Sequence, residues 1–168
     1  MHGAAMTAAH PDFERFFLDE HPKLVALGLA WTGDRDAARD LAQEALTRAY
    51  RSWATVELLD LPGAWVRRVM INLLIDRHRT RGRQARLVAE LGPERTIDPP
   101  DAATGPWWEA VRALPTRERA AVTLHYLEDL PIATVAEILE VKPGTVKASL
   151  AHARDKLRAT LTPDGGAR

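Results

Sequence analysis

Apolar residues recur along this chain at helical spacing from one end to the other. The spacing predicts a first helix over residues 11–33 and a second over residues 34–53, with Asp34 as its N-cap. Pro62 precedes a third helix, predicted over residues 63–80. No run of strand length alternates between apolar and polar residues, so the pattern predicts an all-α fold.

The helical pattern stops between residues 82 and 106. Glycine and proline are concentrated there, at Gly92, Pro93, Pro99, Pro100, Gly105 and Pro106. These residues disfavour a continuous helix, so we expect a flexible linker over residues 84–106 with a short helical piece at residues 86–91. The linker joins two small helical domains, at residues 11–83 and 107–161, with a disordered leader at 1–10 and a frayed tail at 162–168.

The C-terminal half ends in two helices joined by a tight turn. Trp107 and Trp108 open this half, and Thr116 is expected to cap a helix that ends near residue 127. The pair that follows spans residues 131–139 and 143–161. In the second helix one face is apolar, and the opposite face carries Lys147, Ser149, His152, Arg154 and Arg158. This layout is typical of a helix-turn-helix that enters a DNA major groove, and equally of an ordinary helical hairpin.

Charge is unevenly distributed, although 23 basic and 23 acidic residues give the 168-residue chain no net charge. Residues 61–90 hold seven Lys or Arg against two Asp or Glu, and residues 131–168 hold six against four. Acidic stretches separate these two basic zones. Since phosphate binding depends on local charge, two separate zones predict two contacts with a long polyanion.

Composition argues against several classes of protein. There is no cysteine, and the six histidines are scattered, so we expect no disulfide, no metal site and no cofactor. No apolar run is long enough for a transmembrane helix, and residues 1–9 do not form a secretory signal. A cytoplasmic protein without membrane insertion is expected. No nucleophile with a matching base and no glycine-rich phosphate loop is visible, which indicates that the chain is not an enzyme.

The second and third helices carry two further polar faces. On the third, Trp65, Val69 and Leu73 are expected to pack inward, while Arg67, Arg68, Asn72 and the arginines from 77 to 83 face out. Basic residues beside an aromatic ring and an Asn suit opened or single-stranded DNA, although a core Trp with a solubilising arginine edge gives the same pattern. On the second helix Asp40, Gln43 and Glu44 share one face, which is either solvated or docked on a basic partner.

Four pieces of the sequence, in this order, resemble the extracytoplasmic-function (group IV) sigma factors of bacterial RNA polymerase. They are TGDRDAARDLAQE at 32–44, WVRRVMINLLIDR at 65–77, LPTRER at 114–119 and GTVK at 144–147. The resemblance covers about residues 11–161. It implies a sigma region 2 bundle and a region 4 helix-turn-helix, in a monomer that binds core RNA polymerase and promoter DNA. Such sigma factors commonly have an anti-sigma factor, and the sequence leaves open whether this one does.

The resemblance also implies residue roles. The residues implied to dock on the clamp helices of the large catalytic subunit of RNA polymerase are Asp40, Gln43 and Glu44. The residues implied to bind the −10 element are Trp65, Arg67, Arg68, Asn72, Asp76, Arg77, Arg79, Arg81 and Arg83. The residues implied to bind the −35 element are Thr145, Lys147, Ala148, Ser149, Ala151, His152 and Arg154.

The recognition helix departs from the family pattern. A Ser-Arg pair usually follows the position of Lys147, with a further Arg beyond it, whereas this chain has Ala148-Ser149 and then Ala151-His152. Lys142 stands where a capping Ser is common. Because arginine reads guanine and phosphate, these changes predict altered or weaker −35 recognition.

Three other functions remain open from the residues alone. A stand-alone dimeric helix-turn-helix regulator explains residues 110–161 but gives residues 65–83 no role. A helical adaptor that binds no DNA, and a family member that docks on polymerase without recognising a promoter, are the others.

Overall fold

The computed structural model describes residues 10–88, 103 and 105–162, so the predicted leader, most of the linker and most of the tail lie outside the described residues. Those described are helical and contain no strand, as the sequence predicts. The α-helices are α1 (Pro11–Thr32), α2 (Arg35–Arg51), α3 (Trp53–Val56), α4 (Pro62–Val88), α5 (Pro106–Ala113), α6 (Thr116–Val122), α7 (Ile132–Leu139) and α8 (Pro143–Leu161).

The break between α1 and α2 lies where the sequence predicts it. Gly33 ends α1 in the left-handed conformation, with φ of 66°, and its N–H donates to the Leu29 carbonyl. Glycine adopts this conformation without a steric cost. The Asp34 carboxylate accepts a hydrogen bond of 3.0 Å from the Ala37 N–H, which confirms Asp34 as the N-cap of α2.

Helix α4 is longer than the sequence pattern indicates. An end near Thr80 is predicted, yet the helix passes through Gly82 and ends at Val88. The linker therefore does not begin at residue 84, and the first part of the predicted 86–91 piece belongs to α4. One helical glycine costs only about 1 kcal/mol, and the other residues from 81 to 88 form helices readily.

The buried face of α4 is offset by one residue from the predicted one. Val66, Met70 and Leu74 are fully buried. Trp65, expected to pack inward with Val69 and Leu73, is only partly buried, as are those two residues. Periodicity alone does not separate neighbouring faces of a helix this apolar, so the error is one of register.

The second half folds close to the prediction. The helix expected from Thr116 to residue 127 forms, and its last turn widens into a π-helical segment at Thr123–Leu127. Thr116 is the first helical residue and Pro115 occupies the N-cap position, so the predicted cap at Thr116 is wrong. Helix α8 buries Val146, Leu150, Ala153 and Leu157, the four residues predicted to share its apolar face.

The two helical halves pack against each other. Helix α1 contacts α5 and the π-helical segment, and α4 contacts α7. The Trp31 indole N–H donates to the Thr123 hydroxyl at 3.0 Å, and the Arg119 guanidinium lies 5.1 Å above the Trp31 ring. Buried apolar residues of both halves therefore form one continuous cluster.

Candidate nucleic-acid interface

The acidic face of α2 points away from the core. Asp40 and Gln43 are exposed, and Glu44 is half-exposed and accepts a 2.8 Å hydrogen bond from Arg48. The opposite side of α2 is a row of buried alanines with Leu46. The helix therefore presents these three polar side chains together to a partner.

The outward face of α4 is basic. Of the predicted −10 residues, Asn72, Asp76, Arg79 and Arg83 are exposed on this face, whereas Arg81 is exposed on the side of α4 that approaches Asp34. Arg77 is one-third exposed and lies 3.8 Å from the Asp34 carboxylate. Trp65 is partly buried at the edge of the core. Cationic side chains along one exposed helix face suit contact with nucleic-acid phosphates.

Arg67 does not belong to this outward face, contrary to the prediction. Its side chain is buried, with 7% of the residue exposed. One guanidinium nitrogen donates to Glu20 at 2.7 Å and to the Gly63 carbonyl at 2.9 Å, and Nε donates to Glu128. Burial is tolerated because two carboxylates and a carbonyl compensate the charge. In this arrangement Arg67 is unavailable to DNA and holds the two halves together.

Arg68 also contacts the second half of the chain. Its guanidinium donates to the backbone carbonyls of Glu137 at 2.6 Å and Ile138 at 3.3 Å, and it lies 3.4 Å from the Glu140 carboxylate. These groups form the C-terminal end of α7, where the helix dipole favours a cation. Arg67 and Arg68, both predicted to bind DNA, therefore contact the second half of the chain instead.

The recognition helix α8 presents most of its predicted −35 residues. Lys147, Ala148, His152 and Arg154 are exposed, while Thr145, Ser149 and Ala151 are partly exposed. Helix α8 starts at Pro143, and the N-cap residue Lys142 makes no side-chain capping bond. Its first turn therefore lacks the hydroxyl cap that the family pattern supplies.

The faces predicted to read the two DNA elements meet across one cleft. Thr145 and Ser149 of α8 line a cavity of about 290 Å³ together with Arg68 and Asn72 of α4. A B-DNA major groove is about 12 Å wide and takes in a whole helix. The cleft is too small for a DNA duplex to enter and contact both α4 and α8. The two halves are therefore in a closed arrangement.

Sequence reasoning missed the partners that hold the closed arrangement. Glu20 and Glu128 are 47 and 61 residues from Arg67 along the chain, and Trp31 is 92 residues from Thr123. Neither glutamate stands in a motif, so no local signal in the sequence could have identified these pairs.

Among the described residues, no group of three or more His, Asp or Glu side chains could hold a metal ion. Within the same part of the chain, no helix has both the length and the apolar character needed to cross a membrane.

Comparison with known proteins matches both halves to one family. Residues 16–84 match the model of Sigma-70 region 2, and residues 105–157 match that of Sigma-70, region 4. The RNA polymerase sigma-E factor of Streptomyces coelicolor is 31% identical over 157 residues, covering 89% of this chain and 86% of that protein. The ECF RNA polymerase sigma factor SigW of Bacillus subtilis is 28% identical over 155 residues, covering 83% of each.

The fold also has a solved counterpart. The sigma factor RpoE of Bartonella quintana, in complex with the anti-sigma factor NepR, superposes with a TM-score of 0.75 at 24% identity. The match covers 91% of this chain and 98% of that one. The region 2 match gives residues 16–84 a role that a stand-alone helix-turn-helix regulator lacks. The chain therefore belongs to the sigma-70 family, as an extracytoplasmic-function sigma factor of RNA polymerase.

Proposed function

We propose that this sigma factor docks on core RNA polymerase through the acidic face of α2 and directs it to promoters with two DNA-reading helices. Helix α4 contacts the −10 element with Trp65, Arg68, Asn72, Asp76, Arg77, Arg79, Arg81 and Arg83. Helix α8 contacts the −35 element with Thr145, Lys147, Ala148, Ser149, Ala151, His152 and Arg154. The protein itself catalyses no reaction in this proposal and works as a monomer outside the polymerase.

The observation that carries the proposal is the exposed polar row on α4. Asn72, Asp76, Arg79 and Arg83 are exposed on one face of a helix within the region 2 match, and Arg81 is exposed on another face of it. Arginines bind phosphates, and an Asn side chain offers a donor and an acceptor to an unstacked base. This combination supports contact with opened promoter DNA.

The closed arrangement implies an opening step before promoter binding. Arg68 is held by the C-terminal end of α7, and Thr145 and Ser149 face α4 across the cleft. We propose that the halves separate on the polymerase, which frees both faces. An anti-sigma factor that binds the closed form would oppose this step, and the Bartonella quintana sigma factor of similar fold was solved in complex with an anti-sigma factor.

The −35 contact is proposed to be weaker than in relatives with arginine in α8. Ala148, Ser149, Ala151 and His152 offer no guanidinium to guanine. Each bidentate arginine–guanine contact discriminates by about 1–3 kcal/mol. Promoter choice in this protein should therefore depend more on Lys147, Arg154 and the −10 element.

The docking face is tested by charge reversal at Asp40. Asp40→Arg places a cation in the middle of the acidic face, so the affinity of this variant for core polymerase should fall at least about tenfold. Fluorescence anisotropy of the labelled sigma factor measures that affinity. The matched control is Asp19→Arg, the same reversal at an exposed position of α1. If both variants bind core polymerase like the unchanged protein, the docking assignment is wrong.

A further inference from the structure

A second cavity, of about 220 Å³, lies between the two halves and is lined by arginine. Arg77 and Arg81 reach it from α4, Arg112 from α5 and Arg119 from α6, and Trp31 and Leu74 are among its other lining residues. Cavities that hold drug-sized ligands typically measure 300–1,000 Å³, so this one suits a smaller ligand.

Two of the arginines are fixed by their surroundings. Arg112 donates to the Ala103 carbonyl at 3.1 Å, and its guanidinium packs so closely on Gly33 that an added Cβ would lie 3.3 Å from it. Arg119 donates to the Leu114 carbonyl at 3.0 Å, while the Trp31 ring supports its face. A ligand would therefore meet guanidinium groups that are already oriented.

Two of the arginines that line this cavity carry an N–H donor that has no acceptor among the described residues. These donors are the buried Nε atoms of Arg77 and Arg119. Arg119 is almost wholly buried, with 5% of the residue exposed. A buried charged donor without a partner is costly, and a bound anion is one explanation for such a donor.

Among the described residues, positive charge at the cavity exceeds the nearby negative charge. The Asp34 carboxylate lies 3.8 Å from Arg77 and 4.0 Å from Arg81, and Glu109 acts on Arg112. Burial lowers the pKa of both Arg112 and Arg119, and the positive charge of Arg112 lowers the pKa of Arg119 further. The guanidinium groups therefore repel one another, and an anion would relieve that repulsion.

We propose that this cavity is a binding site for a phosphate-class oxyanion, either inorganic phosphate or pyrophosphate or the terminal phosphates of a small nucleotide. The forked N–H groups of arginine match phosphate oxygens. Promoter DNA is a poor candidate, because Trp31 and Arg119 at the cavity are almost wholly buried and a duplex backbone cannot reach them.

Binding here would tie the two halves together. The anion would bridge Arg77 and Arg81 of α4 to Arg112 and Arg119 of α5 and α6. It would favour the closed arrangement and would withhold Arg77 and Arg81 from DNA. This consequence rests on the proposed promoter contacts, whereas the binding itself does not.

The binding is tested by isothermal titration calorimetry on the full chain. Sodium pyrophosphate, sodium phosphate and ADP are titrated at equal ionic strength, with sodium chloride as the reference. One saturable site is expected, and the relative affinities of pyrophosphate and ADP identify a free anion or a nucleotide as the better source. Arg112→Gln should weaken pyrophosphate binding at least about tenfold, because it removes a charged donor. The matched control Arg158→Gln removes the same charge from an exposed site on α8 and should leave affinity unchanged.

Three results would overturn the proposal. The first is the absence of saturable binding at matched ionic strength. The second is equal pyrophosphate affinity in Arg112→Gln and Arg158→Gln. The third is binding that appears only in a variant in which Glu94, Asp98 and Asp101 are replaced by the corresponding amides. The last would assign the cavity to a carboxylate of this chain. If Arg112→Gln fails to fold, Arg81→Gln replaces it, since Arg81 is exposed and its loss leaves the core intact.

Discussion

Removing the buried arginine between the two halves should destabilise this protein far more than removing an arginine from its surface. Arg67→Met keeps the length and apolar stem of the side chain but takes away the cation. It leaves Glu20 and Glu128, whose side chains are 12% and 5% exposed, without the guanidinium between them. Lys23 lies 3.6 Å from the Glu20 carboxylate, but its side chain is 53% exposed, so it offsets only part of the lost charge.

The magnitude follows from that burial. Breaking a buried ion pair by removing one partner costs about 3–5 kcal/mol, since the remaining charge stays desolvated. For a chain of this size each kcal/mol lowers the melting temperature by about 2–4 °C, so a fall of roughly 6–20 °C is expected. Arg48→Met is the matched control. It breaks an i,i+4 pair with Glu44 in which both side chains are about half exposed, worth about 0.3–0.5 kcal/mol.

Urea unfolding followed by circular dichroism measures both variants. A third variant, Arg67→Met with Glu20→Gln and Glu128→Gln, removes the stranded charges and should recover most of the loss. A cost below about 1 kcal/mol for Arg67→Met, or an equal cost in the triple variant, would refute the reasoning.

Three other predictions follow from the same structure. Burial raises the pKa of the Glu128 carboxyl above its ordinary value of 4.5, with Arg67 opposing the shift. The folded chain therefore holds this proton more tightly than the unfolded chain, and stability should fall relative to Glu128→Gln as pH rises from 4.5 to 7. Urea unfolding across that range checks the sign, and a gap that stays constant contradicts it. Gly28→Ala should lower the free energy of unfolding by about 1–3 kcal/mol, because the added Cβ would lie 2.8 Å from the Met70 methyl and 3.0 Å from the Ala38 backbone. Each kcal/mol lowers the melting temperature by about 2–4 °C, so a melting temperature within about 1 °C of the unchanged protein would contradict this. Lys147→Ala should reduce transcription from promoters that need the −35 element by about tenfold and spare those that do not, and an equal effect on both classes counts against the position of the recognition helix.

Local signals in the sequence predicted most of the helices. Asp34 caps α2 and Gly33 ends α1, because a short side chain and a free backbone act on their immediate neighbours. The four buried residues of α8 follow from a spacing that only one helix face can satisfy. These features depend only on residues within one helical turn, so they can be predicted from the sequence before the fold is known.

Features that depend on tertiary packing were not predictable in the same way. Arg67 looks like its neighbour Arg68 in sequence, and only the approach of Glu20 and Glu128 from distant elements makes it a buried residue. The arginine-lined cavity likewise forms only where four helices, α1, α4, α5 and α6, meet. Gly82 predicts the end of a helix, yet α4 continues through it, because the low helix propensity of one residue is outweighed by the helix-forming residues around it.

Run-off transcription with purified core RNA polymerase and this protein, on a library of promoter fragments with transcript starts mapped, tests the central claim most directly. We predict discrete new starts that share one −10 and one −35 sequence, with the −35 element the more tolerant of change. Tight binding to core polymerase without any new start would contradict promoter recognition, and absence of core binding would contradict the account of how the sigma factor acts.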